Sequence, residues 1–257
     1  MYQQGIQGQG PGRLLRHIGA ASRLLAAMVR CLFTRPLDVR LLVAQLDEVG
    51  VKSLSIVSVT AVFTGMVMAV QAWYTLGRLG VKYFIGEAVA LSIVRELGPV
   101  LTALIVGGRV GAGIAAELGT MAVTEQVDAM RALGASPVQR LVVPRVLATM
   151  IMLPLLTVLA DLLGIFGGLF ISVTEINVSA SFYIEHVLDA VSLHDVFSGV
   201  GKSLFFGFFI AFIGCYNGLA AGGGADGVGR MTTSTVVASS ITVLVANFFL
   251  TKLFIMF

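Results

Sequence analysis

Arg95 and Glu96 are adjacent charged residues inside an otherwise apolar stretch, 88–116, whose one other charged residue is Arg109. An ionisable side chain in a membrane span costs about 2.5–3.5 kcal/mol on the insertion scale, and such residues usually mark a pathway or a site. A guanidinium binds oxyanions well, whereas an ion pair that only holds spans together would use the same two residue types. Because Pro99 has no N–H to donate to the carbonyl of Arg95, we also expect Gly98-Pro99 to interrupt the helix here.

The composition places the chain in a membrane. Of its 257 residues, 57% are hydrophobic and 12% are charged, and the mean hydropathy is +0.94. Soluble domains carry roughly 25% charged residues. The net charge of +3 is too small to indicate nucleic-acid binding. We therefore predict an all-α integral membrane protein.

Five segments reach the length of about 20 apolar residues that a spanning helix needs. They are 53–76, 87–116, 146–173, 199–220 and 235–257. The second and third are long and contain glycine or proline, so we expect them to be tilted or kinked. We expect these spans to form one membrane unit over 51–257, preceded by an interfacial region at 13–50 and a disordered tail at 1–12.

The segment 13–33 predicts an amphipathic helix that lies at the membrane surface. At 100° per residue, five apolar side chains share one face: Leu14, Ile18, Leu25, Met28 and Leu32. Three arginines recur every seven residues on the opposite face: Arg16, Arg23 and Arg30. A basic amphipathic helix of this kind lies flat on anionic head groups; a signal anchor is the alternative, against which the arginine spacing argues. The segment 37–49 predicts a second short amphipathic piece.

The distribution of lysine and arginine predicts the orientation. Residues 1–52 carry seven of them and 117–145 carries three, whereas 174–198 carries none. We expect the N-terminus and 117–145 to be cytosolic, and 174–198 and the C-terminus to lie outside. The outer loop at 77–86, with Arg78 and Lys82, is a mild exception.

The loop 117–145 contains a short helix with clear end signals. Glu125, Asp128 and Arg131 lie on it, and Gly134 is well placed to cap its C-terminus. Ser136-Pro137 then predicts a new helix, with serine as the N-cap and proline in the first turn. Such a capped, charged helix suits docking of a cytosolic partner, although an ordinary solvated connector would look similar.

Five short motifs occur in order within 91–145. They are Arg95-Glu96-Leu97-Gly98-Pro99, Gly108-Arg109-Val110-Gly111, Ala116-Glu117-Leu118-Gly119-Thr120-Met121, Thr124-Glu125-Gln126 and Ala132-Leu133-Gly134. In this order and spacing they closely resemble the MlaE (YrbE) permease family, the membrane subunits of ABC systems associated with MCE proteins. The resemblance extends over nearly the whole chain.

The resemblance implies a homodimer of five-span subunits that sits on two ABC ATPase subunits in the bacterial inner membrane. It further implies a hexameric MCE protein on the outer, periplasmic face and a STAS-domain protein bound to the ATPase. The implied cargo is phospholipid moving between the inner and outer membranes, in support of outer-membrane lipid asymmetry. This chain would carry no catalytic residue, cofactor or metal, because ATP and Mg belong to the ATPase.

The resemblance also implies which residues act. The lipid head group would lie near Arg95, Glu96 and Lys202. Apolar walls suit acyl chains. The candidates for such walls lie at the outer end of the first span and beside the charged pair: Val70, Trp73, Tyr74 and Leu97, with Met66, Met68 and Leu76. The segment 124–134 would be the coupling helix that enters the ATPase, through Glu125, Asp128, Met130, Arg131, Leu133 and Gly134.

Arg95 and Glu96 need separate partners, since adjacent residues on a helix point about 100° apart. Lys202 is a candidate partner for Glu96. The alternative for Lys202 is snorkelling to the outer interface, because it lies within about two turns of the start of its span.

For three further charges in or near the spans, a structural role is the favoured interpretation. We expect Arg109 and Glu117 to pair with each other or with the 117–145 loop. Asp161 is isolated in the third span, where it could be protonated, bonded to a backbone carbonyl or linked to proton movement.

Two other functions remain open at this level. A proton-driven secondary transporter would use Glu96 and Asp161 as carriers, although five spans do not divide into the inverted repeats typical of such carriers. A non-transporting scaffold for an MCE protein would need no pathway at all.

Overall fold

The computed structural model describes residues 12–34, 38–78 and 84–256, and within these ranges every regular element is helical. The α-helices are α1 (Gly12–Thr34), α2 (Val39–Val49), α3 (Leu54–Arg78), α4 (Ile85–Ser92), α5 (Gly98–Val106), α6 (Ala112–Val123), α7 (Gln126–Ala132), α8 (Val143–Thr174), α9 (Ala180–Ala190), α10 (Leu193–Leu219) and α11 (Gly224–Met256). A 3₁₀ turn covers Val51–Ser53, and π-helical turns cover Ile93–Leu97, Gly107–Gly111 and Val138–Val142.

Five helical stretches in the described ranges are long and apolar enough to cross a membrane. They are Val39–Leu76, Ile85–Val123, Val138–Thr174, Leu193–Leu219 and Gly224–Phe254. The predicted number of spans and the all-α membrane class are confirmed. The helices are longer than predicted because polar residues continue them: α11, for example, begins at Gly224 rather than at 235.

The third span lies at the centre of the bundle. Helix α8 packs against α3 on one side and α10 on another, and α10 also packs against α6 and α11. Glycines bring the helices together: a Cβ built on Gly65 would lie 1.8 Å from the carbonyl oxygen of Gly164, and one on Gly207 would lie 2.7 Å from that of Thr149. Such contacts matter because lipid supplies no hydrophobic drive for helices to associate.

The second span runs through two π-helical turns without interruption, so the predicted break at Gly98-Pro99 is wrong. Pro99 lies in the first turn of α5, directly after the turn Ile93–Leu97. In that widened turn the N–H of Gly98 donates to the carbonyl of Ile93, five residues earlier. The carbonyl of Arg95, to which Pro99 cannot donate, accepts a hydrogen bond from Lys202 instead. The helix therefore stays continuous.

The N-terminal helix is confirmed, but part of it packs into the protein. Leu24 and Met28 of α1 are buried in the main core, whereas Ile18, Leu25 and Leu32 of the predicted apolar face are exposed. Leu24 and Met28 are buried because α1 packs against α8 and the turn Val138–Val142. Of the predicted tail at 1–12, residues 1–11 lie outside the described residues, as do residues 35–37 and 79–83. Its last residue, Gly12, begins α1.

Candidate functional site

The charged pair of the second span lies on the π-helical turn Ile93–Leu97, near the end of the bundle that carries α9. Arg95 is exposed and Glu96 is partly buried, and the two side chains bond to different helices. A π turn often occurs at functional sites, because it displaces side chains from their α-helical positions. Here it directs one charge toward the start of α10 and the other toward α10 and α11.

Glu96 accepts three hydrogen bonds that join three spans. Lys202 Nζ on α10 donates to Oε1 at 2.7 Å. From α11, Asn247 Nδ2 donates to Oε2 at 2.8 Å and Thr251 Oγ1 donates to Oε1 at 2.9 Å. The predicted pairing of Glu96 with Lys202 is confirmed, and Glu96 is one point at which the second, fourth and fifth spans meet.

Lys202 is 1% exposed, so the snorkelling alternative is wrong. Its ammonium also donates to the backbone carbonyl of Arg95 at 2.8 Å. That carbonyl is the acceptor that Pro99 leaves without an α-helical donor. Two of the three Lys202 donors are thus used within the protein, which makes this residue a structural tie of the site.

Arg95 is held by a residue that the sequence interpretation did not select. Its Nε donates to Asp195 Oδ1 at 2.7 Å. Asp195 also accepts from the N–H and hydroxyl of Ser192, and the hydroxyl of Ser192 accepts from the N–H of Asp195, which completes a capping box at the start of α10. The Arg95 side chain remains 54% exposed while that of Asp195 is 3% exposed. Arg95 is therefore an anchored cation that still faces outward.

An open groove of about 580 Å³ lies beside Glu96. The charged cluster, formed by Arg95, Glu96, Asp195 and Lys202, contributes Glu96 to its lining. The rest of the lining is one face of α11: Leu244, Asn247, Phe248, Thr251, Lys252 and Met256. Leu244 and Phe248 are exposed. The groove thus offers apolar walls with a polar end, which is the pattern that an amphiphilic ligand needs.

The lipid-contacting residues predicted on the first span lie outside this groove. Val70, Trp73 and Tyr74 are exposed on one face of α3, and none of them lines the groove beside Glu96. Met68 and Leu76 pack against the cluster formed by α3 and α4. Leu97 is partly buried and lines a small cavity between α3 and α5, so it points away from that groove.

Two ion pairs lie toward the end of the bundle that carries α7, and neither joins Arg109 to Glu117 as predicted. Arg109 donates to the hydroxyl of Ser53 at 2.8 Å and to the backbone carbonyl of Glu48 at 3.1 Å. Glu117 accepts from Arg145 at 2.6 Å. The Arg109–Glu117 pair is thus not formed. The other predicted partner, the 117–145 segment, is confirmed for Glu117, because Arg145 belongs to it.

Helix α7 has one face in the core and one face outside. Val127 is buried in the main core and Met130 packs against it. Asp128 and Arg131 pair with each other at 2.6 Å on the exposed face, and Leu133 is 85% exposed. Met130, one of the predicted coupling residues, therefore packs α7 onto the core. Asp128, Arg131 and Leu133 form the exposed surface.

Both ends of α7 are shaped by left-handed residues. Gly134 has φ +74°, and hydrogen bonds from Gly134 to Arg131 and from Ala135 to Met130 form a Schellman cap. The predicted glycine cap is confirmed. At the other end Glu125 has φ +61°, an uncommon conformation for a residue with a side chain. The helix is thus set apart from α6 by a sharp, fixed turn.

Within the described ranges, no group of three or more His, Cys, Asp or Glu side chains could hold a metal ion. Arg95 offers an exposed guanidinium that can bind an oxyanion, and the groove beside Glu96 offers apolar surface for hydrocarbon.

The comparisons with known proteins agree with these features. Residues 42–253 match the family model described as Permease MlaE. The chain is 43% identical to a probable ABC transporter permease protein of Rickettsia bellii, over 94% of this chain and 93% of that protein. It is 46% identical to a probable ABC transporter permease protein of Synechocystis, over 81% and 80%. It is 40% identical to the chloroplastic protein TRIGALACTOSYLDIACYLGLYCEROL 1 of Arabidopsis thaliana, over 82% and 60%. The chain therefore belongs to the MlaE permease family and is a multi-pass transporter permease.

Proposed function

We propose that this protein is the membrane subunit through which an ABC transporter moves phospholipids between the inner and outer membranes, in support of outer-membrane lipid asymmetry. The observation that supports the proposal most directly is Arg95, a cation fixed by Asp195 and still 54% exposed. Arginine binds phosphate through parallel N–H donors, which suits a phospholipid head group. The Arabidopsis relative, which is named for trigalactosyldiacylglycerol, is consistent with a glycerolipid cargo.

The three predicted head-group residues take different parts in this proposal. Arg95 binds the phosphate. Glu96 and Lys202 hold α10 and α11 around it, because their polar atoms are already bonded within the protein. The acyl chains lie along the apolar walls of the adjoining groove, where dispersion contacts let them slide.

A second copy of the chain completes the site. The groove beside Glu96 is open along α11, where Leu244 and Phe248 are exposed. Helix α3 presents a second apolar face with Val70 and Trp73. A homodimer that pairs these faces would enclose the lipid and would bring the predicted α3 residues into its walls.

The ATPase contacts the opposite end of the bundle. The exposed face of α7, with Asp128, Arg131 and Leu133, is the coupling surface, and Glu125 and Gly134 fix its direction. ATP and Mg bind to the ATPase, which in turn binds the STAS-domain protein. The basic residues near this end of the bundle favour the cytosolic side of the inner membrane for it, so the N-terminus is cytosolic. The C-terminus and α9 then face the periplasm and the MCE protein.

The two alternative functions are less well supported. A proton carrier must release and rebind its proton, yet Glu96 accepts hydrogen bonds from three residues that tie the spans together. A pure scaffold would have no use for an exposed, anchored arginine or for an amphiphilic groove beside Glu96.

The test is lipid transfer by the complex reconstituted in proteoliposomes with its ATPase, with its MCE protein as acceptor and with fluorescent phosphatidylglycerol. We expect transfer to require ATP, and Arg95→Gln to reduce the rate about tenfold through the lost phosphate contact. Arg95→Lys retains the charge and should keep part of the rate. Arg40→Gln, an exposed arginine of α2, is the matched control.

Transfer driven by a proton gradient without ATP would support the secondary transporter instead. An assembled complex that transfers no lipid under any condition would support the scaffold.

A further inference from the structure

A second cavity, of about 420 Å³, lies between α8 and α9. Its volume falls in the range of about 300–1,000 Å³ that is typical of small-molecule sites. Most of its wall is aliphatic or aromatic, including Val158, Leu162, Ile165, Phe166, Ile184 and Leu188. It shares no lining residue with the groove beside Glu96, so it is a separate site.

One carboxyl group interrupts these apolar walls. Asp161 lies in the cavity wall and is 7% exposed. In the described part of the chain its Oδ1 has no hydrogen-bond partner and is buried against Gly98. The other polar side chain of the lining, Tyr183, donates its hydroxyl to the carbonyl of Ile165. Because Oδ1 is fully buried, the other carboxyl oxygen is the one that a ligand in the cavity can reach. A ligand that supplied a hydrogen bond to it would be bound in preference to a plain hydrocarbon.

The lining selects the charge of that ligand. It contains no lysine, arginine or histidine, so a phosphate would meet a carboxyl group and no cation. An ammonium would pair with Asp161, but the cost of desolvating both charges among apolar side chains can exceed the attraction between them. A hydroxyl is desolvated at far lower cost. The remaining match is an uncharged hydrogen-bonding group attached to a hydrocarbon chain.

We propose that this cavity binds one uncharged single-chain amphiphile, with its alkyl chain along α8 and α9 and a hydroxyl group hydrogen-bonded to Asp161. This ligand class differs from the phospholipid proposed for Arg95, and the site does not depend on that assignment.

The occupant would also contact the helix turn that carries the charged cluster. Val94, on the turn Ile93–Leu97, lines the cavity. Asp161 lies directly against Gly98: a Cβ built on Gly98 would be 1.7 Å from Oδ1. A molecule bonded to Asp161 therefore rests against the same segment that positions Arg95 and Glu96.

The test is photolabelling of the full chain in nanodiscs of dioleoyl phosphatidylethanolamine and phosphatidylglycerol. The probe is monooleoylglycerol with a photoactivatable diazirine in its chain, and the labelled peptides are identified by mass spectrometry. We expect label on α8 and α9. Asp161→Leu should reduce it about fivefold through the lost hydrogen bond, whereas Asp161→Asn, which can still bond a hydroxyl, should retain it within about twofold.

Two further variants keep the result decisive if Asp161→Leu fails to fold. Ile184→Trp retains Asp161 and fills the cavity, so it should abolish the label, whereas Leu193→Trp adds the same bulk at an exposed position outside the lining. Arg95→Gln should leave the label unchanged, which separates this site from the phospholipid site.

Labelling that survives both Asp161→Leu and Ile184→Trp would overturn the proposal. So would competition by unlabelled phosphatidylglycerol that matches competition by unlabelled monooleoylglycerol, because the occupant would then be an acyl chain of a phospholipid.

Discussion

Lys202 donates a hydrogen bond of 2.8 Å to the backbone carbonyl of Arg95, although the two residues are 107 positions apart in the sequence. Pro99 deprives that carbonyl of its α-helical donor. In a bilayer no water can replace the donor, so each unsatisfied backbone group costs several kcal/mol. The same ammonium also bonds Glu96. The Lys202 ammonium thus supplies the donor that the Arg95 carbonyl lacks and also holds the side chain of Glu96.

Replacing that cation should destabilise the protein. We expect Lys202→Met to lower the free energy of unfolding by about 3 kcal/mol, because it leaves Glu96 without its ionic partner and the Arg95 carbonyl without its donor. Thermal unfolding of the purified protein in detergent measures the change.

The control for Lys202→Met removes the uncompensated charge as well. The double variant Lys202→Met, Glu96→Gln should recover part of the lost stability, since a neutral amide can still bond Asn247 and Thr251. Equal unfolding temperatures for the wild-type protein and Lys202→Met would show that the ammonium has no structural part here.

The anchoring of Arg95 can be separated from the capping of α10. Asp195→Asn removes the negative charge that holds the guanidinium, so we expect slower phospholipid transfer in the reconstituted complex. Ser192→Ala removes the N-cap hydroxyl and leaves the Asp195 carboxylate in place, so it should lower stability by about 1 kcal/mol with transfer largely preserved. A reversed pattern, with Ser192→Ala the slower transporter, would assign Asp195 to helix capping alone.

The sequence revealed the charges of the site but not all of their partners. Arg95, Glu96 and Lys202 stand out because ionisable residues are rare in spans. Asn247 and Thr251 bond Glu96 from positions 151 and 155 residues away, and polar uncharged residues on a span carry no local signal of such a contact. Asp195 did carry one, because its spacing from Ser192 fits a capping box.

Local rules predicted the turns better than the long helices. The cap at Gly134 follows from glycine's tolerance of positive φ, and the N-cap at Ser136 is seen in its bond from the N–H of Gln139. The π turn at Ile93–Leu97 was not predictable in the same way, since it is stabilised in part by Lys202 on another helix. Where tertiary contacts decide, a proline that predicts a break can lie in a continuous span.

The close contact of α3 with α8 depends on a missing side chain. Gly65→Ala would place a methyl group 1.8 Å from the carbonyl oxygen of Gly164, so the two helices must separate. We expect a loss of about 2 kcal/mol or more in stability, as in other overpacked cores. Gly113→Ala is the matched control, because nothing lies within 4 Å of its added Cβ. Similar unfolding temperatures for the two variants would contradict this packing.

The two faces of α7 should respond to mutation in opposite ways. Leu133 is 85% exposed and Met130 packs against the core, although only three positions separate them. We expect Leu133→Asp to weaken binding of the ATPase about tenfold, measured by co-purification and by stimulated ATP hydrolysis, without a change in unfolding temperature, because exposed side chains contribute little to the fold. Met130→Ala should instead lower the unfolding temperature, because it removes buried apolar contacts. If Leu133→Asp left ATPase binding intact while Met130→Ala abolished it in a folded protein, the coupling surface would lie on the inner face of the helix, and α7 would have to leave the core when the ATPase binds.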